Sequence, residues 1–164
     1  MKAREISEIA IIAAVITIMG AIKIPSIMPG MEFQLSAPFA VAVCAVFGFK
    51  KYIIAGVLSS MISLMLGTHT IFNVAIAMEF RIVAGLIVTL AQGRMPLIMI
   101  AGPLGTLAAR LTLSVVLGKA ALALAAAAVP GMIFTFIATP FFVKLVDRIQ
   151  LMRRVRAGVD APVQ

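Results

Sequence analysis

Glu79 and Arg81 stand inside a long apolar run, His69 to Leu90, and Arg110 stands inside the next one. These are the residues whose chemistry demands an explanation. A charge at the centre of a bilayer costs roughly 2.5–3.5 kcal/mol on insertion scales, so it normally faces a bundle interior, a partner or a water-filled cavity. What such charges can do is bind. The chain has no phosphate-cradling glycine loop and no His-Glu-x-x-His, and it holds a single histidine, His69. No Ser/His/Asp set falls on plausible neighbouring elements. Neither ATP hydrolysis nor intramembrane proteolysis is expected, and no enzyme activity, cofactor or metal site is read from these residues.

The elements that must hold these residues are apolar helices. Hydrophobic residues make up 63% of the 164 residues and charged ones 12%, with a mean hydropathy of +1.17. A soluble domain is nearer 45–50% apolar and about 25% charged, so the chain reads as an integral membrane protein of one domain, residues 1–164. The lone Cys44 excludes an internal disulfide and fits as small apolar filler. The N-terminal apolar run follows Glu5 and Glu8 and ends without a convincing cleavage site, so it is read as a retained span rather than a signal peptide.

The expected fold class is all-α: a polytopic bundle of six transmembrane helices. The spans fall at about 7–22, 35–49, 52–66, 70–92, 97–117 and 121–143, followed by a tail, 144–164, whose Lys144–Arg156 part stays helix-compatible and suits an interfacial helix on an anionic leaflet. Spans two and three are short, and Lys50-Lys51 separates them. The segment from Lys23 to Gln34, with Pro25, Pro29 and Gly30, reads as a loop. It is apolar enough either to rest on the membrane surface or to fold back over the bundle mouth. With six spans, ten Lys and Arg residues, Lys2, Lys50, Lys51 and Arg94 among them, fall on the side of both termini, against Lys23 and Lys119 on the other. That asymmetry places both termini in the cytoplasm and explains the net charge of +8 without nucleic acid.

Depth brings the charges together. At about 1.5 Å per residue, Glu79 lies roughly 13 Å and Arg110 roughly 10 Å below the outer ends of their helices. Glu79 and Arg81, two positions apart, point nearly opposite ways and cannot pair. Asn73 shares the face of Arg81, Thr106 lies one turn from Arg110, and Thr135 belongs to a small polar face on the last span. Two readings stand side by side. In one, Glu79 and Arg110 form an ion pair that only staples helices four and five. In the other, Glu79, Arg81, Asn73, Thr106, Thr135 and Arg110 line a ligand cavity open to the outside, with Arg110 the strongest contact. Glu32, in the first loop, is solvated unless loop closure carries it onto the ligand.

The first span carries Ala10, Ala14, Thr17 and Ala21 at intervals of four, three and four, a face that packs against another span or docks another protein. Six short spans, Ala10-x-x-x-Ala14, the Phe33-Gln-Leu-Ser-Ala-Pro run and the Phe47-Gly-Phe-Lys-Lys-Tyr turn together resemble the substrate-binding S component of energy-coupling factor (ECF) transporters. The resemblance implies a subunit in a prokaryotic cell membrane that captures a vitamin or similar small metabolite from outside. It also implies partners: a transmembrane coupling subunit, docked on Ala10 and Ala14, and two ATPase subunits. The His-rich N-terminus of nickel and cobalt members is missing, which argues against a metal substrate. A membrane scaffold of the rod-shape-determining MreD type, similar in size and helix number, is the alternative.

Overall fold

The computed structural model describes residues 3–25, 32–117 and 120–156. Six α-helices run in order through them: α1 (Ala3–Ala21), α2 (Ser36–Phe47), α3 (Phe49–Met65), α4 (Ile71–Ala91), α5 (Met95–Leu117) and α6 (Ala120–Arg156). The segment expected as a loop holds two short strands instead. β1 (Lys23–Pro25) and β2 (Glu32–Gln34) pair antiparallel, with Ile24 opposite Phe33.

The bundle is built around α2, which touches each of the other helices. Its Val41, Ala42 and Val43 are fully buried. Three successive residues point about 100° apart on a helix, so burial of all three means that protein surrounds α2 on every side. Small residues allow this, since Ala40, Ala42 and Cys44 let neighbours approach closely. Cys44 is a free, buried thiol. Outside this hub, α4 packs on α5 and α5 on α6, while α1 leans on α3.

The outer surface is apolar. Ile82, Leu86 and Leu90 form an exposed stripe on α4, and Ile133, Ile137 and Phe141 form another on α6. Contiguous exposed patches of this kind are rare on water-soluble monomers and natural against lipid. Among the described residues three helices, Ile71–Ala91, Met95–Leu113 and Ala126–Arg153, are long and apolar enough to cross a membrane. By contrast α2 is apolar but has only 12 residues, α3 has 17, and α1 carries Arg4, Glu5 and Glu8 in its first two turns.

The last helix does not stop at Val143. It continues to Arg156 through Pro130 and Pro140, and the charged extension, residues 141–156, contains neither proline nor glycine to interrupt it. Arg4, Glu8, Lys51 and Arg153 surround one depression, so both ends of the described chain reach the same end of the bundle. There Lys51 Nζ pairs with Glu8 at 2.8 Å, with Arg4 behind at 3.7 Å, and α1 is tied to α3.

A single residue joins α2 to α3. Gly48 has φ 84° and ψ 162°, a region essentially closed to residues with a Cβ. Gly48→Ala is therefore expected to destabilise the protein by about 1–3 kcal/mol, read as a lower melting temperature in detergent. An unchanged melting temperature would show that the joint can relax to negative φ.

Candidate functional site

A cavity of about 370 Å³ opens between α1, α2, α4 and α5, near the end opposite the Glu8–Lys51 pair. Its wall on α4 is Asn73, Ile76, Ala77, Phe80 and Arg81. These positions recur at intervals of three and four, which is one face of a helix. On α5, Thr106, Ala109 and Arg110 repeat the pattern, and α2 contributes Ser36, Ala37 and Ala40. Ile16 of α1 and Thr68 and His69 of the α3–α4 connection complete it. The start of α4 is fixed by Thr70, whose side chain accepts from the Asn73 backbone N–H at 3.3 Å.

Arg81 is the buried charge of the cavity wall, 7% exposed. Its Nη1 donates to Ser60 Oγ of α3 at 2.6 Å and lies 3.4 Å from Met78 Sδ. No carboxylate among the described residues pairs with it. The α3 face that receives it reads Tyr52, Gly56, Ser60 and Ser63, all buried. At Gly56 a Cβ would come within 2.5 Å of Arg81 Cδ and 2.6 Å of Nε. The seat for Arg81 is thus a gap in α3 with a hydroxyl one turn further on. The spacing of four, four and three that places these residues on one face of α3 is present in the sequence.

Arg110 is half-buried in the cavity wall and makes no ion pair among the described residues. Thr106 also lines the wall, its hydroxyl donating to Gly102 O at 3.0 Å. Asn73, Arg81, Thr106 and Arg110 are therefore brought together. Glu79 is not among the residues lining the cavity. It is half-buried and accepts a hydrogen bond from Thr112 of α5, so the Glu79–Arg110 staple does not form. Thr135 is buried on α6, donates to Gly131 O at 2.8 Å and packs on Gly102, away from the cavity lining. The side chain of Glu32 lies outside the described residues. Ser36, Thr68 and His69 join the wall without having been expected as a set, because they come from two separate places, the start of α2 and the α3–α4 connection.

Chemically the wall offers guanidinium, amide, hydroxyl and imidazole groups around an apolar middle of Ile16, Ile76 and Phe80. Small-molecule pockets typically hold roughly 300–1,000 Å³ with this division between apolar lining and a few polar groups. On α1 the buried residues Ile9, Ile12, Ala13 and Ile16 face inward, while Ala10 and Ala14 are exposed. Thr17 leaves that outer face and meets Ser59 Oγ of α3 at 2.9 Å.

Fold and cavity together define a helical membrane protein with a metabolite-sized polar pocket at one end of its bundle. Among known proteins, the chain is 47% identical over 131 residues to Protein BioX of Lysinibacillus sphaericus, covering 80% of this chain and 79% of that one. It belongs to the BioX family. No protein-family model matches the chain, and no solved structure matches it.

Proposed function

We propose that this protein is the substrate-binding membrane subunit of an ECF-type importer, capturing a vitamin or similar small metabolite from outside. The observation that carries the reading is the cavity: its wall gathers Asn73, Arg81, Thr106 and Arg110 from α4 and α5 at a single end of the bundle. In this reading α1 to α3 also cross the membrane, both termini are cytoplasmic, and the cavity faces outward. The ten-to-two distribution of Lys and Arg supports that orientation. The protein performs no catalysis of its own. Energy comes from two ATPase subunits through a transmembrane coupling subunit, for which the exposed Ala10 and Ala14 offer a small-residue face.

A scaffold of the MreD type gains no support from the fold or from the BioX relationship, and a scaffold has no need of the cavity. The two are separated by ligand-dependent stability. A ligand at a hundredfold its Kd should add about 2.7 kcal/mol, seen as a higher melting temperature of the detergent-solubilised protein. Mass spectrometry of small molecules released from the purified protein should supply the first candidates. A protein that releases nothing, and whose melting temperature no vitamin or metabolite raises, is not a substrate-binding subunit.

A further inference from the structure

Arg81 is a buried cation whose described partners are all neutral: the Ser60 hydroxyl and the Met78 thioether. The neighbouring acid, Glu79, is engaged by Thr112 of α5. Arg110, the second guanidinium of the cavity, has no carboxylate partner among the described residues either, and those lining the cavity include no Asp or Glu. A buried charge without a counter-charge is strongly unfavourable. The fold nevertheless holds Arg81 in place, with space left at Gly56 and a hydroxyl supplied by Ser60. Arg81 is itself one of the residues lining the cavity.

Resting on the reading that this cavity takes a small molecule, we propose that the occupant carries a carboxylate and that this carboxylate pairs with Arg81. A guanidinium fork meets a carboxylate through two parallel hydrogen bonds, a geometry that an ammonium does not reproduce. Arg110 offers a second cationic contact from α5, and the apolar middle of the cavity holds the body of the ligand. Gly56 and Ser60 are positioning residues that act through Arg81. The anchor of the site is thus the buried arginine of α4, ahead of the more accessible Arg110.

The test compares each acid with its own ester on the detergent-solubilised full chain. Biotin, pantothenate, nicotinate and straight-chain mono- and dicarboxylic acids are titrated beside their methyl esters, with riboflavin as a neutral vitamin and phosphatidylglycerol as a lipid anion. At least one free acid should bind, and its ester should bind about ten- to a hundredfold more weakly, as expected for a lost charge-assisted contact. Arg81→Lys should weaken the acid by a similar factor. Gly56→Ala, which crowds Arg81, should weaken the acid while leaving the weak binding of the ester unchanged. The acid–ester comparison needs no variant and decides the matter even if a variant misfolds.

An ester that binds as well as its acid, or riboflavin bound with the same affinity in Arg81→Met, overturns the carboxylate proposal and leaves the substrate-binding reading intact. Saturation by phosphatidylglycerol alone also overturns it, in favour of a lipid phosphate. If no compound of any class binds, the substrate-binding reading itself fails, and the proposal with it.

Discussion

Arg81→Met should raise the melting temperature of the ligand-free protein in detergent while removing the stabilisation by ligand. The usual expectation for a buried, hydrogen-bonded residue is the reverse. Here the wild-type side chain is a cation with neutral partners, and methionine fills much of its length without a charge. An arginine at the centre of a membrane helix costs about 2.5–3.5 kcal/mol to insert. Cavity water offsets part of that, so the gain should be about 1–2 kcal/mol, or roughly 2–8 °C for a chain of this size. Ser60 is not left stranded, since its hydroxyl can turn to the carbonyl one turn earlier in α3. Gains in stability bought with function are the mark of a residue kept for its activity. A fall of several degrees instead would identify Arg81 as a structural peg between α3 and α4.

Ala10→Leu combined with Ala14→Leu should abolish transport and leave ligand binding untouched. Both alanines are exposed on α1, on the side away from the buried Ile9, Ile12, Ala13 and Ile16. Larger side chains there meet no core residue, so stability should stay within about 0.5 kcal/mol of the parent. In lipid, helices gain by close backbone approach across small residues, and two leucines hold the backbones apart. The measurement has two arms: co-purification of the double variant with the proposed coupling subunit and ATPases, and ATP-dependent uptake into vesicles. Loss of the complex with an unaltered binding isotherm is the expected result. Full uptake by the double variant would remove α1 from the docking surface.

The helices were legible because apolar runs and their punctuation are local. Gly93-Arg94 marked a turn, whereas the break read at Lys50-Lys51 falls at Gly48 and both lysines stand in the first turn of α3; the helices still begin and end within a few residues of the spans read from them, apart from the last. That one runs past Lys144 because a change from apolar to charged side chains does not interrupt backbone hydrogen bonding. The β1–β2 pair was missed for the opposite reason. Three-residue strands beside Pro25, Pro29 and Gly30 carry too short a pattern to outweigh their breakers.

For the cavity, depth was readable and rotation was not used to the full. Helix spacing put Asn73 on the face of Arg81 and Thr106 one turn from Arg110, and the structure gathers these four in one cavity wall. Counting depth along the helices suggested a contact between Glu79 and Arg110, although residues two apart face nearly opposite ways. Once Arg81 faces the cavity, Glu79 must turn elsewhere, and it turns to Thr112. The seat on α3 required knowing which helix lies against Arg81, and no local pattern contains that.

The two polar contacts of α4 also differ in when their partners are made. Ribosomes deliver the chain from the N-terminus. Ser60 precedes Arg81 by 21 residues, whereas Thr112 follows Glu79 by 33. As α4 enters the bilayer, the acceptor for its arginine is therefore already in place, while its glutamate waits for α5. That α4 is the most apolar of the three long helices suits a segment that must be inserted before one of its two charges has a partner.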